Sequence, residues 1–424
     1  MNILQISPRV PFPLHDGGAI GIYNITAGLL QAGHRVTLLA ANTPKHHQPA
    51  HVLDALGSGL RLLPVDVDTT PRPLSALRSL LGGPGPQGVG QDIPYNVERF
   101  ISLPLAARLK QLLETEVFDV VQFEGAFVAW YAGWLRQQVA QDWHPAGGML
   151  PPLVLRAHNV EYRIWETLAQ SAGNPLKKWY FHHLATRMRK FERWMLSQLD
   201  GVAAITVEDQ ERLRELGCTV PAPLVPAGVM LDAFRPDPTH RPRPRTAFMI
   251  GSLNWLPNLE ALDWLLREVW PTAHAEMPDL ELHVAGTGTP AHLLAPRTDN
   301  VFIHGFVDSA SDFMRQFELM VVPLLSGGGM RVKIIEGMAL GKPILSTSLG
   351  AEGIAVRDGH DIVLRDGAAG WLDALRAWYR GELPVEAIGA EATRTAAEVY
   401  SNRRVMRCYE VLYEQVGAPV APAV

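Results

Sequence analysis

The residues best suited to chemistry lie in one stretch, where a glycine-rich loop is followed by two cations and a carboxylate. The loop spans residues 326–329, and Met330, Arg331 and Lys333 follow it at the start of a predicted helix. Glycines let an anion approach the backbone N–H groups at a helix start, so this pattern favours a phosphate site. Glu336, further along the helix, can accept hydrogen bonds from the two hydroxyls of a ribose. The stretch predicts a nucleoside-diphosphate site; the alternative is a flexible turn before a helix with solvated charges.

A second small-residue loop follows the predicted strand 247–251 and precedes another predicted helix. It contributes Gly251, Ser252 and Asn254, which we predict to bind the same ligand. No basic residue occurs between 251 and 258. The charge of a diphosphate would therefore be neutralised by Arg331, by Lys333 and by helix N-termini. A plain strand-to-helix turn is the alternative. Trp255 is predicted to be a core residue.

The first predicted strand is also followed by paired glycines, Gly17 and Gly18, which open a helix and allow an anion to approach. Asp16 precedes them and is either an acceptor contact or the N-cap of that helix. The spacing is not G-x-G-x-x-G, and the second strand ends at Asn42 without the acidic residue that an NAD ribose needs. NAD binding is therefore disfavoured.

Polar residues also follow two later predicted strands. His158 and Glu161 come after strand 153–157, and Glu124 comes after strand 118–123. Polar groups at the carboxyl ends of parallel strands usually line the ligand site, which favours His158 as a site residue over a structural histidine. Glu161 and Glu124 are weaker acceptor-side candidates, since the first could pair with a neighbour and the second could sit at a helix start.

Composition excludes several classes of protein. The chain has 38 Lys and Arg against 43 Asp and Glu, a formal charge of -5, which disfavours nucleic-acid binding. Its two cysteines form no C-x-x-C, and no H-E-x-x-H occurs, so we predict no metal site. Neither a Walker loop nor a Gly-x-Ser-x-Gly elbow is present. Cysteine usage and the lack of a spanning apolar run predict a cytoplasmic location.

Residues 177–193 combine basic and aromatic side chains in a helical pattern. Such a helix could lie on anionic lipid at the inner face of a membrane, as a peripheral contact. The alternative is a surface helix whose cations extend over an aromatic core face.

The elements that must position these residues alternate between strand and helix, which predicts an α/β fold with parallel sheets. The alternating prolines near 234–245 block helix and central strand and predict a linker. We predict an N-terminal Rossmann-like domain at 1–230, a linker at 231–245 and a second such domain at 246–395. The final segment, 396–424, holds a helix that packs back toward the first domain, and a tail. Two such domains would face a cleft that holds ligands.

Residues 329–354, from Gly329 through Arg331, Lys333 and Glu336, resemble the donor-site motif of the retaining family-4 glycosyltransferases. These are enzymes of the GT-B fold, with two Rossmann-like domains. Their motif usually holds two glutamates separated by seven residues. Glu336 matches the second, but Gly328 stands at the position of the first. The chain thus resembles a branch in which a Ser-Gly-rich loop followed by Arg and Lys replaces the first glutamate.

The resemblance implies a hexosyltransferase-type enzyme that moves a sugar from a nucleoside-diphosphate sugar to a glycan, lipid-linked or small-molecule acceptor. It further implies retention of anomeric configuration, no tightly bound cofactor, and a setting in glycan or exopolysaccharide assembly. Gly17 and Gly18 would lie near donor phosphates and acceptor, His158 near the transferred sugar, and the backbone amides of Gly328 and Gly329 against that sugar. The donor-binding set would be Gly17, Gly18, Gly251, Ser252, Asn254, Gly328, Gly329, Met330 and Glu336, and the catalytic set His158, Arg331 and Lys333.

Two other functions fit the same residues. A nucleotide-sugar epimerase on this architecture would convert the donor without an acceptor. A non-catalytic module would bind a nucleotide sugar or glycan and release no product, which the missing first glutamate makes a fair alternative.

Overall fold

The computed structural model describes residues 1–14, 16–72, 93–237, 239–295 and 297–419. Pro238 of the predicted linker and residues 420–424 of the predicted tail lie outside the described residues. The chain forms two compact α/β units. The first comprises residues 1–14, 18–72, 93–226 and the described residues from 405 onward, and the second comprises the described residues of 227–404 together with residues 16 and 17.

The first unit is built on a six-stranded parallel sheet with the order β3-β2-β1-β4-β5-β6. Alternate residues of its strands enter different cores. Ile3 packs with the first and last helices of the chain, whereas Leu4 packs with the helices from the middle of the unit. Both faces are therefore covered, as the apolar strand runs predict. The strands are β1 Asn2–Ser7, β2 Arg35–Asn42, β3 Leu60–Asp66, β4 Val120–Glu124, β5 Leu153–Ala157 and β6 Gly201–Ala204.

The helices of the first unit alternate with these strands, as expected for parallel connections. They are α1 Gly17–Gln31, α2 Tyr95–Glu98, α3 Leu103–Thr115, α4 Trp130–Ala140, α5 Glu161–Ser171, α6 Pro175–Leu196 and α7 Val207–Glu215.

The second unit also has a six-stranded parallel sheet, with the order β12-β11-β10-β7-β8-β9. Its buried apolar residues form a single cluster around that sheet. The strands are β7 Arg243–Ile250, β8 Glu281–Ala285, β9 Val301–Gly305, β10 Phe317–Val322, β11 Ile344–Ser346 and β12 Val363–Leu364.

The first helix of this unit, α8 Leu256–Trp264, continues into a π-helical turn, Leu265–Val269, where a helix over 257–269 is predicted. The remaining helices are α9 Trp270–Glu276, α10 Ala310–Gln316, α11 Val332–Ala339, α12 Gly367–Tyr379 and α13 Val385–Tyr400, and the chain's last helix is α14 Asn402–Gln415.

The prediction that alternating prolines exclude a central strand is wrong at the end of the linker. Strand β7 begins at Arg243, includes Pro244 and lies between β10 and β8. Pro244 is tolerated because it sits in the first residues of the strand, beside an irregularity. There Arg245 adopts a φ of 58° and the register with β10 shifts.

The apolar stripe of α14 packs into the core of the first unit. Val405, Met406, Tyr409 and Leu412 are buried there with Ile25 and other residues of α1 and the sheet. Gly28 makes this possible because a β-carbon at that position would lie only 3.0 Å from the Met406 side chain.

Helices α5 and α6 follow one another through a short turn, and the early part of α6 departs from the predicted aromatic core face. Trp179 is 59% exposed and Tyr180 is 36% exposed, and the buried residues of α6 begin only at Leu184. The cause is the length of α6, whose first turns precede the segment that packs on the sheet. Within the described part of the chain, no helix is both long and apolar enough to cross a membrane.

Candidate functional site

The glycine-rich loop of the second unit lies between β10 and α11, at the carboxyl end of the strand. Gly327 and Gly329 adopt φ values of 97° and 82°, which favour glycine, and Gly328 has open space where a β-carbon would be. Ser326 anchors the loop by donating a hydrogen bond of 2.5 Å to Glu260 on α8. The loop therefore presents backbone to an open side.

Arg331 closes this loop from the side of α11. Its Nη1 donates to the Gly328 carbonyl at 2.6 Å and to the Gly329 carbonyl, and its guanidinium lies 5.8 Å from the centre of the Trp255 ring. Its Nε and Nη2 atoms are buried and have no hydrogen-bond partner among the described residues. Buried unpaired donors cost about 1–3 kcal/mol each, so these two atoms would gain from an anionic acceptor at the loop.

Lys333 is the second cation of this cluster. Its Nζ donates to Asn258 Oδ1 at 3.0 Å, and Asn258 Nδ2 in turn donates to the Ser252 carbonyl at 2.8 Å. Burial, reinforced by the charge of Arg331, lowers the pKa of Lys333 to about 7. No carboxylate forms an ion pair with either cation in the described ranges.

The loops after β7 and β8 press directly against each other beside Lys333. A β-carbon on Gly286 would lie 1.8 Å from the Gly251 carbonyl oxygen, so only glycine fits there. Ser252 Oγ donates to Asn254 Oδ1 at 2.6 Å and lies 2.9 Å from Thr287 Oγ1. The structure thus brings the predicted Gly251, Ser252 and Asn254 together with Thr287, which the sequence did not reveal.

Glu336 lies on α11, one turn beyond Lys333. Its side chain is buried, and burial raises its pKa to about 7. No hydrogen bond or ion pair to its carboxylate occurs in the described part of the chain. A carboxylate at this position, with no partner among the described residues, is able to accept hydrogen bonds from a ligand.

Trp255 is not a core residue, contrary to the prediction. Its side chain is 41% exposed and packs beside Gly327 and under the Arg331 guanidinium. The cause is local, because Trp255 precedes α8 and points into the loop region and not onto the sheet.

In the first unit, a buried polar cluster lies at the carboxyl ends of β4 and β5. Glu124 is completely buried and accepts hydrogen bonds from Gln5 at 2.7 Å and Gln122 at 2.6 Å through one oxygen. Its other oxygen lies 3.2 Å from Arg156 Nη1 and 2.9 Å from His158 Nε2. The structure thus joins the predicted Glu124 and His158 through direct contact.

The charges in this cluster are strongly coupled. Burial, the largest influence, would raise the pKa of Glu124, but the hydrogen bond from His158 and the charge of Arg156 outweigh it and lower that pKa to about 2. Burial and Arg156 lower the pKa of His158, and Glu124 opposes them. His158 Nε2 also lies 3.0 Å from Arg156 Nη1. In the neutral tautomer in which Nε2 donates to Glu124, Nδ1 is an acceptor.

The last helix takes part in the same network. The Tyr413 hydroxyl on α14 donates a hydrogen bond to Gln122 Oε1, and Gln122 Nε2 donates one to Glu124. On the other side, Gln5 Oε1 accepts from Thr26 Oγ1 at 2.8 Å. Gln5 and Gln122 were not identified from the sequence as members of this network. The signal that could have identified them is the presence of a polar residue inside an otherwise apolar strand.

Glu161 is buried at the first turn of α5, where Glu192 of α6 caps the helix. The two oxygens of Glu192 accept the backbone N–H groups of Glu161 and Tyr162 at 2.8 and 3.0 Å. Burial raises the pKa of Glu161 to about 7 and that of Glu192 to about 8. Glu192 therefore holds the segment that follows His158, a role the sequence did not reveal.

Gly17 and Gly18 open α1 and are exposed, and Asp16 precedes them with its own interactions. Further along α1, Gly21 lets the helix approach Arg156, because a β-carbon there would lie 3.3 Å from Arg156 Nη2. In the described ranges, no group of three or more His, Cys, Asp or Glu residues is placed to hold a metal ion. The arrangement in the second unit is suited to bind an anion and a neighbouring pair of hydroxyls.

Comparison with known proteins agrees with this geometry. The model described as "Glycosyl transferases group 1" matches residues 244–380, and the one described as "Glycosyltransferase Family 4" matches residues 15–233. Phosphatidyl-myo-inositol mannosyltransferase of Mycobacterium leprae is 27% identical over 44% of this chain and 53% of its own length. The chain spans about half the length of the curated relatives it matches.

Solved structures show the same fold over nearly the whole chain. Sucrose-phosphate synthase from Thermosynechococcus elongatus has a TM-score of 0.68 and 17% identity, covering 98% of both chains. Anabaena Alr3699/HepE in complex with UDP-glucose has a TM-score of 0.62 and 12% identity, covering 97% of this chain and 99% of its own. Two six-stranded parallel sheets and these neighbours confirm the predicted α/β architecture of the GT-B type. Since the second family model covers just over half of the residues, the chain belongs to glycosyltransferase family 4.

Proposed function

We propose that the protein transfers a sugar from a nucleoside-diphosphate sugar to an acceptor, with retention of anomeric configuration. The observation that carries the proposal is the pair of cations beside the open glycine loop, Arg331 buried and Lys333 half-buried, neither of which has a carboxylate partner among the described residues. A diphosphate supplies the missing negative charge and the acceptors for the two unpaired Arg331 donors. The same cations then stabilise the departing diphosphate during transfer.

The other donor contacts follow from this placement. Glu336 accepts hydrogen bonds from the ribose hydroxyls, which offsets the cost of its burial. Gly328, Gly329 and Met330 contribute backbone groups to the sugar or phosphates. Gly251, with Ser252 and Asn254, forms the wall behind Lys333.

His158 contacts the sugar or the acceptor through its free Nδ1, and Glu124 is a positioning residue that acts through His158. We assign Glu124 this role because it is completely buried, so its effect on a ligand must pass through the histidine. Glu161 is likewise buried in the same segment, which Glu192 holds, and we propose Asp16 as an acceptor contact near Gly17 and Gly18.

The donor and acceptor classes to test come from the relatives. Alr3699/HepE was solved with UDP-glucose, so a UDP-sugar is the first donor to try. The Mycobacterium leprae relative is named a phosphatidyl-myo-inositol mannosyltransferase, which supports a lipid-linked acceptor beside a glycan. A cytoplasmic location, with peripheral contact at the inner face of a membrane, stays part of the proposal.

The test combines binding and turnover. Purified protein is incubated with UDP-, GDP-, ADP- and TDP-sugars, and thermal unfolding and release of free nucleoside diphosphate are measured. We expect one donor to stabilise the protein and to be hydrolysed slowly, and Arg331→Met to abolish both effects. Arg376→Met is the matched control. Arg376 Nε donates to Glu276 at 2.7 Å, and this ion pair is not part of the glycine-rich loop.

Three results would contradict the proposal. Stabilisation without release, even with acceptors present, would indicate a binding module. Isomerisation of the donor sugar without acceptor would indicate an epimerase. If no nucleotide sugar changed the thermal unfolding of the protein, the proposed donor site would be wrong.

A further inference from the structure

The first turns of α6 carry an exposed apolar stripe that no part of the described chain covers. Leu176 is 78% exposed and, with Trp179 and Tyr180, occupies positions i, i+3 and i+4 of the helix. The His183 ring stacks on Trp179, with centroids 5.8 Å apart, and so prolongs the stripe by a turn. Residues at this spacing lie on one helix face, and such a face is normally turned toward a core.

The start of this helix is well defined, so the exposure is a property of a formed helix. Asn174 caps it by accepting the backbone N–H groups of Leu176 and Lys177 at 2.9 and 3.3 Å, and Pro175 occupies the first turn. The first nine residues of α6 contain none of its buried side chains. They form the exposed tip of the α5–α6 pair, which we call the hairpin tip, residues 172–183.

The hairpin tip is positively charged although the chain as a whole carries a formal charge of -5. Lys177 and Lys178 are exposed beside the stripe, and no Asp or Glu occurs between residues 172 and 186. The acidic residue before the tip, Glu166, is already paired with Arg163 at 2.7 Å. Neither lysine forms an ion pair in the part of the chain that the structure describes.

We propose that the hairpin tip docks on the surface of a lipid bilayer that contains anionic lipid. Tryptophan and tyrosine favour the headgroup region of a bilayer, where their rings meet acyl chains and their polar atoms stay hydrated. Lysines beside them reach anionic headgroups while their stems cover apolar surface. Lysine is depleted in the buried centres of protein interfaces, which disfavours a protein partner on this face.

Bilayer binding has a consequence for the first unit alone. Helix α5 begins three residues after His158, and Glu192 of α6 holds its first turn. A hairpin bound to lipid therefore keeps the His158 segment near the bilayer surface, where a lipid-linked acceptor would be met. The docking rests on one part of the proposed function, the peripheral membrane contact, for which it names the surface. It is independent of the transferase activity, because it needs neither donor nor acceptor.

Vesicle sedimentation tests the proposal with the full chain. We expect binding to vesicles of phosphatidylglycerol mixed with phosphatidylcholine, weaker binding at high salt, and little binding to phosphatidylcholine alone. Replacing Lys177 and Lys178 by glutamine should weaken binding about fivefold for each lysine. The control replaces Arg403 and Arg404, another adjacent pair of exposed cations, by glutamine and should bind like the parent.

The apolar stripe is tested by Trp179→Ala combined with Leu176→Ala, which should reduce binding at low and high salt alike. Leu103→Ala, another exposed leucine, serves as its control. Unchanged thermal unfolding of each variant shows that folding is intact, since all these side chains are exposed.

Failure to bind anionic vesicles would overturn the proposal, as would equal weakening by the Arg403 and Arg404 control. Concentration-dependent dimerisation that Trp179→Ala abolishes would show that a second copy covers the stripe instead. Each of these results leaves donor binding untouched, so it is distinguishable from failure of the proposed function.

Discussion

Replacing Lys333 by methionine should have opposite effects on the free protein and on its donor complex. The pKa of Lys333 falls from 10.5 to about 7 in the folded chain, so the unfolded chain binds more protons between those values. The free energy of unfolding therefore rises with pH across that window, and the charged lysine destabilises the fold at neutral pH. A pKa difference of one between the folded and unfolded chains corresponds to about 1.36 kcal/mol.

The whole lowering of the Lys333 pKa would amount to roughly 5 kcal/mol. We reduce this to about 2 kcal/mol because the side chain is only half-buried and because the substitution removes its hydrogen bond to Asn258. Lys333→Met should thus raise the thermal midpoint at pH 7, and this advantage should shrink toward pH 10. A lost charge-assisted bond to phosphate costs about 1.5–3 kcal/mol, so the dissociation constant of the diphosphate should rise about 10- to 150-fold.

The assay pairs calorimetric titration with thermal unfolding, and Lys342→Met is the matched control. Lys342 is also buried with a lowered pKa, but its Nζ donates to the Arg315 and Phe317 carbonyls at 3.1 and 2.7 Å. Its loss leaves two carbonyls unpaired, so the control should lower the midpoint and leave affinity unchanged. A destabilised Lys333→Met that still binds nucleotide like the parent would refute the reasoning.

Three further predictions follow from individual contacts. Burial raises the pKa of Glu336 to about 7, where Lys333 also titrates, so the carboxylate is tested in a Lys333→Met background: there the affinity for nucleoside diphosphate should fall as pH drops below 7, and adding Glu336→Gln should remove this dependence in titration calorimetry; flat affinity in the Lys333→Met background would count against the ribose contact. Tyr413→Phe leaves Gln122 Oε1 without its donor and should cost about 1–3 kcal/mol of unfolding free energy; an unchanged denaturation curve would dismiss this bond. Glu192→Ala removes the cap of α5 and should cost about 1–2 kcal/mol, with faster hydrogen exchange at the Glu161 amide; protection equal to the parent would show that another group caps the helix.

Much of the sheet framework is predictable from the sequence, because buried parallel strands appear as uninterrupted apolar runs. Strand β5, Leu153–Ala157, is predicted to the residue. Edge strands lack that signal. Strand β3 escapes prediction because charged and proline residues interrupt it, and β12 has only two residues.

The candidate site shows the same division. The loop with Arg331 and Lys333 is contiguous in sequence, so its chemistry could be predicted from spacing. The contact between Tyr413 and Gln122 joins positions 291 residues apart, and no local pattern indicates which buried polar groups will meet. The prediction for Trp255 fails because a tryptophan just before a helix can turn either onto the sheet or toward a neighbouring loop, and here it packs beside Gly327.

The packing of α14 also bears on the order in which the chain folds during synthesis. The buried apolar cluster of the second unit runs from Val229 to Tyr400, so this core can be completed as soon as that stretch leaves the ribosome. The first unit must wait for Tyr409, Leu412 and Tyr413, which arrive only with the final helix. Until then α1 covers only part of that face of its sheet, and a nascent chain or a fragment ending near residue 226 would present the rest of the face to chaperones or to other chains.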